Sequence, residues 1–299
     1  MKKIIIIITL ISLISLSIVV NSKIILKKNY FNFLNLITFK FNKQDILDYK
    51  IDFVSLYIKS LSKNNYFIRK EIPVNSVTNI DNIAYLDEPT VYIYQTHANE
   101  EYSFFKNDLY NIVPTVKTAS YVLSDELSKL GIKSLVEKEN TISILNERGL
   151  NYSSSYKISR ELLEKRHEEN KSLKYFLDIH RDSVKRNVTT TTINGVTYAR
   201  IMFLLGLENN NYLENKKILE KLNNYLEINY PGLSRGIYEK KGKGVNGIYN
   251  QDYSKNVILI EVGGVDNTIL EVSNSIKVIA SMIYNLDQEY DKSWNIIII

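Results

Sequence analysis

Cysteine is absent from all 299 residues of this chain. No disulfide can staple the fold and no thiolate can bind a metal, so any metal site must be built from histidine and carboxylates. Histidine is scarce too, with three in the chain, which makes the place of each one informative. No block of one charge stands out: 38 Lys and Arg against 33 Asp and Glu leave a formal net charge of +5, spread along the whole length. Without a basic stripe or a base-stacking motif, no nucleic acid is expected as a partner. "LGLENN" and "GKGVNG" carry glycines but lack the lysine and hydroxyl order of a P-loop. The positive balance is compatible with an anionic envelope polymer.

What is present is globular in kind, with 44% hydrophobic and 24% charged residues. At the N-terminus, Lys2 and Lys3 precede an uncharged run of seventeen residues from Ile4 to Val20. That length is at the lower limit for a bilayer span and above the core of a signal peptide. Residues 1–22 are expected to be a single-pass membrane anchor; the alternative is a cleaved signal segment, for which Val20 and Ser22 make a poor cleavage pattern. Lys23, Lys27 and Lys28 flank its far side, yet a long polar remainder translocates largely regardless of nearby lysines. The bulk of the chain is therefore expected on the extracytoplasmic side. Residues 23–87 read as a stalk with some helix, and 88–299 as the catalytic domain.

After Pro89 apolar strands alternate with amphipathic helices: strands at 90–96, 132–138, 173–179 and 256–264, helices at 115–131, 155–170, 214–232 and 267–286. "NVTTTTINGVTYARIMFLLG" interrupts this rhythm, and its Asn194-Gly195 pair between β-branched runs signals a hairpin. The expectation is an α/β fold: an open, mainly parallel sheet with helices on both faces and an inserted β-hairpin.

In such sheets ligands bind beyond the carboxyl ends of the strands. Three of these strands finish in chemistry: "VYIYQTH" in His97, "LKYFLDIH" in His180 and "NVILIE" in Glu261. Parallel neighbours would bring those groups to one edge. Two neutral imidazoles and a carboxylate are the usual protein ligands of a catalytic zinc that keeps one position for water. The carboxylate is Glu100 or Glu101 of "THANEEY", with Glu100 preferred; Glu261 is then the general base. Asp178, two residues before His180 on the same strand face, can fix the ring's tautomer, and Asp182 can do so if the strand ends at the histidine. Arg181 is a candidate for an anionic substrate group. The bland alternative is that each histidine is a solvated strand end, and His167 in "LEKRHEEN" is read that way, as surface.

"QTHANEEY", "DIHRDS", "NYPGLSRGIYEK" and "YNQDYSKNVILIEVGGVDNT" resemble, in that order, the motifs of the stage II sporulation protein P family, over about residues 88–285. The resemblance implies a zinc amidase-like fold. It implies hydrolysis of the N-acetylmuramoyl-L-alanine amide of peptidoglycan during engulfment, with a stem-peptide endopeptidase activity also attributed to the family. It places His97, Glu100 and His180 on the metal positions, Glu261 on the catalytic glutamate, and Arg181 and Asp182 within the His-Arg-Asp motif. Sporulation proteins D and M are the implied partners. One departure is that "NTISILNERGLNYSSSY" lacks the acidic or His-Asp feature the family usually has between the second strand and "DIHRD".

Overall fold

The computed structural model describes residues 88–103, 105–106 and 111–295. The anchor expected over 1–22 and the stalk over 23–87 lie outside the described residues. Among those described, no helix is long and apolar enough to cross a membrane.

In chain order the elements are β1 (Val91–Tyr94), the short pair β2 (Phe105–Lys106) and β3 (Asn111–Ile112), α1 (Val116–Lys129), β4 (Ser134–Val136) and α2 (Thr141–Glu147). A 3-10 turn at Tyr152–Ser154 leads into α3 (Ser155–Glu169), β5 (Tyr175–Asp182) and the short α4 (Arg186–Thr189). The hairpin β6 (Thr190–Ile193) and β7 (Val196–Ala199) follows, then β8 (Ile201–Gly206), α5 (Tyr212–Asn229), β9 (Ser234–Lys240), β10 (Val257–Gly264) and α6 (Ile269–Asn295).

The main sheet has the order β4-β1-β5-β10-β8-β9. The first four strands are parallel; β8 pairs antiparallel with β10, and β9 runs parallel to β8. The hairpin between β5 and β8 turns the chain around, while β8, α5 and β9 form a crossover unit, whose helix provides the length a parallel connection needs. Asn194 and Gly195 at the hairpin tip both have positive φ, 51° and 79°, as a two-residue type I′ turn requires.

Strand alternation divides the sheet into two different faces. Val91, Ile93, Leu177, Ile179, Ile258, Ile260 and Phe203 point to one side and pack against α1, α5 and α6 in the main core. Each fully buried aliphatic side chain there contributes roughly 1.5–3 kcal/mol. The other side carries Tyr92, Tyr94 and Phe176, covered by Leu163 of α3, with α2 packed on α3 through Leu145, Ile158 and Leu162. Asp178, His180 and Glu261 fall on this second face.

Helix α1 begins where its sequence says it should. Thr115 caps the Lys117 N–H and forms a capping box with Thr118. It ends at Gly131, whose φ of 79° allows the last carbonyls to be closed by the Gly131 and Ile132 N–H groups. Five elements go beyond the sequence expectation: β2, β3, α2, α4 and the edge strand β9. Strand β5 also runs on past His180 to Asp182.

Candidate active site

His97 stands in the turn just beyond β1, and that turn is tied down on three sides. Gln95 O accepts from the Thr141 hydroxyl at the start of α2 (2.9 Å). The Val116 N–H, at the start of α1, donates to Glu100 O (3.0 Å). The Tyr102 hydroxyl donates to Val262 O in β10 (3.1 Å). The turn thereby holds His97 and Glu100 against the end of β5. The His97 and His180 rings lie edge to face with centroids 5.2 Å apart.

Glu100 is the carboxylate brought to His180: its Oε2 is 3.4 Å from His180 Nδ1 and accepts the Arg181 N–H at 2.9 Å. Glu101 points elsewhere, exposed and bridged through its backbone to Thr115. On the other side of the imidazole, Asp178 Oδ1 is 3.0 Å from His180 Nε2. That approach is ionic; Nε2 has no partner in hydrogen-bond geometry. Asp178 is fully buried and fixed by Thr96, whose N–H (2.9 Å) and hydroxyl (2.6 Å) both donate to its carboxylate. Because β5 continues past His180, Asp178 faces the ring, and Asp182 pairs instead with Arg235 (2.9 Å).

Glu261 lies opposite His180 in the register of β5 and β10. Its Oε2 is buried without a hydrogen-bond partner. Burial, reinforced by the Glu100 and Asp182 carboxylates and opposed by His180 and Lys240, pushes its pKa up to about 7. Burial likewise lowers His97, with the neighbouring His180 adding to it, to about 4. Its imidazole is therefore neutral at physiological pH, and its Nδ1 is buried and unpartnered. Burial also works against a charged His180, but Asp178 and Glu100 outweigh it and hold this ring's pKa well above the ordinary value. Burial opposes ionisation of Glu100, and His180 and the Arg181 N–H more than offset it, keeping that carboxyl below its usual range.

Among the described residues no three His or acidic side chains are arranged as a ready-made ligand set. The fit to a metal is one of donor chemistry and spacing. Two ligand atoms at 2.0–2.1 Å from a tetrahedral zinc are about 3.3 Å apart, and the 3.4 Å between His180 Nδ1 and Glu100 Oε2 matches that. His97 adds a neutral imidazole with a buried, unpartnered nitrogen on the same edge.

Arg181 has a defined task in the structure: its Nε donates to Glu101 O at 2.7 Å, so together with its backbone N–H it clasps the Glu100–Glu101 turn. Sequence reasoning missed Arg235, although it stands in the quoted "NYPGLSRGIYEK". It also missed Tyr152, whose ring stacks on His97 with centroids 4.6 Å apart and planes 14° from parallel. No signal in the sequence separates either from other arginines and tyrosines. The reading of His167 as surface is corrected. It is half-buried, its Nδ1 lies 2.6 Å from the Tyr253 hydroxyl, and its ring packs edge-on against Phe176.

The family model for stage II sporulation protein P (SpoIIP) matches residues 43–284. Stage II sporulation protein P of Bacillus subtilis (strain 168) is 37% identical over 212 residues, covering 69% of this chain and 53% of its own length. This chain therefore spans about half of that relative. Among solved structures, the CwlD amidase from Clostridioides difficile in complex with the GerS lipoprotein is similar at a TM-score of 0.45 and 12% identity, over 68% of this chain and 99% of that one. The N-acetylmuramoyl-L-alanine amidase AmiC2 of Nostoc punctiforme gives 0.38 and 12%, over 67% and 97%. Likenesses of that size decide nothing about chemistry.

Proposed function

As the chain belongs to the stage II sporulation protein P family, we propose that it is a zinc-dependent peptidoglycan hydrolase cutting the N-acetylmuramoyl-L-alanine amide. The observation that carries this reading is the row formed by His97, Glu100, His180 and Glu261 at one end of the sheet, with buried, unpartnered polar atoms on His97 and Glu261. Buried polar atoms without partners are costly, and a site that binds an ion, a water and a polar substrate gives them partners.

His97, Glu100 and His180 would hold the zinc, which when bound supplies a Lewis acid and a water of lowered pKa. The chain's own residues do the rest. Glu261 Oε2, on a carboxyl with a pKa of about 7, takes a proton from the attacking water and returns it to the leaving amine nitrogen; a base poised near the working pH is the efficient choice. Asp178, immobilised by Thr96, orients His180. Arg181 holds the Glu100 turn in place.

The proposal extends to the setting. The uncharged run Ile4–Val20 would anchor the chain in the cell membrane, with the catalytic domain on the extracytoplasmic side. Sporulation proteins D and M would be its partners during engulfment. Mass spectrometry of muropeptides released from purified peptidoglycan by the full chain, with and without chelator, tests the reaction. Free stem peptides that vanish with chelator are expected. Cuts within the stem would replace the amidase by an endopeptidase, and release that persists in chelator would remove the zinc.

A further inference from the structure

The row of side chains that holds His180 and Glu261 continues toward the sheet edge. Glu261 faces Met202 across β10 and β8. On β9 the register jumps, with Ile201 opposite Ser234 and Phe203 opposite Ile237. Met202 is thus opposed by two residues, Arg235 and Gly236, which is a β-bulge. The φ of 84° at Gly236 is what such a bulge takes most readily from glycine. Beyond the bulge, Ile237 turns to the helix-covered core. Alternation therefore sends Tyr238 and Lys240 to the same face as Glu261.

That part of the face is open. A Cβ on Gly236 would meet nothing within 4 Å, and Tyr238 is 54% exposed. Farther along β8 the face is covered again. A Cβ on Gly206 would come within 2.4 Å of Gly247 O, and Tyr249 packs over Leu204 and Leu259. The open part of this face is thus the β9 edge at Gly236 and Tyr238, which borders buried Met202 on the side of Glu261 and ends near the Gly247–Tyr249 loop.

Lysines gather at its far end, beside the Glu208 carboxylate that accepts the Gly242 N–H (2.9 Å). Arg235 is neutralised by Asp182, but Lys240 makes no ion pair among the described residues. Its ammonium sits over the Tyr238 ring, 5.4 Å from the centroid, half-buried, with Lys241 and Lys243 exposed just beyond. An aromatic face beside an unpaired cation suits a chain that carries carboxylates.

We propose that this strip is the subsite for the acidic stem peptide of peptidoglycan, in which Lys240 pairs with a peptide carboxylate and Tyr238 packs along the adjoining chain. The identity of the peptide rests on the hydrolase reading; the subsite itself rests on the register, the open face and the unpaired lysine. The competing explanation is that Lys240 merely guards an edge strand against pairing with another chain.

Calorimetry separates them. The full chain, carrying Glu261→Gln to prevent turnover, is titrated with the pentapeptide L-Ala-γ-D-Glu-L-Lys-D-Ala-D-Ala and with its counterpart whose carboxyl groups are all amidated. The amidated peptide should bind about three- to fivefold more weakly at low salt, the size of one exposed ion pair. Lys240→Gln should abolish that difference, and Tyr238→Ala should weaken both peptides. Equal binding of the two peptides, or a difference that survives Lys240→Gln, overturns the subsite. Lost solubility with unchanged peptide binding would assign Lys240 to edge protection. Discriminating binding without release of stem peptides from peptidoglycan by the unsubstituted chain would defeat the hydrolase reading alone. Release without discrimination would defeat the subsite alone.

Discussion

Glu261 and His180 are register partners across β10 and β5, so the proposed base and the proposed ligand are fixed by adjacent parallel backbones. A loop-borne base would be free to drift by the ångström that matters for proton transfer. Glu261→Gln keeps the shape and removes the proton acceptor. We expect it to retain zinc and lose about 10²–10⁴-fold in kcat, whereas His180→Ala loses both metal and activity. Metal content by atomic emission alongside muropeptide release checks the pair. A Glu261→Gln protein digesting cell wall at the normal rate would end the role given to Glu261.

Among the contributions to the pH dependence of stability in the metal-free protein, those of Glu261 and His97 oppose each other. The Glu261 carboxyl rises from 4.5 to about 7 on folding, so between those values the native state binds more protons than the unfolded chain and stability falls as pH rises. His97 drops from 6.5 to about 4, so between those values the unfolded chain binds more protons and stability rises with pH. Glu261→Gln removes only the first. Its stability relative to the parent chain should climb between about pH 4.5 and 7, by up to about 3 kcal/mol. Urea unfolding in chelator at several pH values measures this, and a flat difference would contradict the buried, unpaired carboxyl.

Thr96 never touches a ligand position, yet two of its donors hold Asp178. Thr96→Val removes the hydroxyl and keeps the volume. The loss should be about 1–3 kcal/mol in stability, since a buried carboxylate oxygen is left unpaired. Zinc affinity should fall about 10–100-fold, as for a lost outer partner of a metal-bound histidine. Competition with a chromogenic chelator reads the second effect. Unchanged affinity would mean that Asp178 does not orient His180.

Much of this site could be read from the sequence because the informative residues terminate strands. "VYIYQTH", "LKYFLDIH" and "NVILIE" have one reading as apolar strands, and parallel pairing does the rest. Glu100 and Glu101 could not be separated by geometry beforehand, because which of two adjacent carboxylates turns inward depends on how Tyr102 and the Glu100 carbonyl are tied to β10 and α1. Strand β9 was illegible for a related reason. "SRGIYEK" alternates imperfectly, its bulge at Gly236 breaks the period of two, and it lies exposed at an edge with no continuous apolar face. The charged neighbours of His167 along α3 say nothing of Phe176, which reaches it from β5.

Tyr152 offers a test that uses the scarcity of histidine directly. Its ring is 59% exposed, so removing it should cost at most about 1 kcal/mol of stability. Its inner face, however, covers His97, and burial is the main cause of that ring's low pKa. Tyr152→Ala admits water to the imidazole, and the His97 pKa should move up from about 4 toward its ordinary value, while Tyr152→Phe leaves it low. With three histidines in the chain, each ring proton can be followed by NMR titration of the metal-free protein and assigned by single substitutions. A shift confined to His97 would identify the tyrosine as the lid on a ligand nitrogen. If His97 titrates alike in all three proteins, its low pKa comes from His180 and the backbone around it instead, and the stack is incidental.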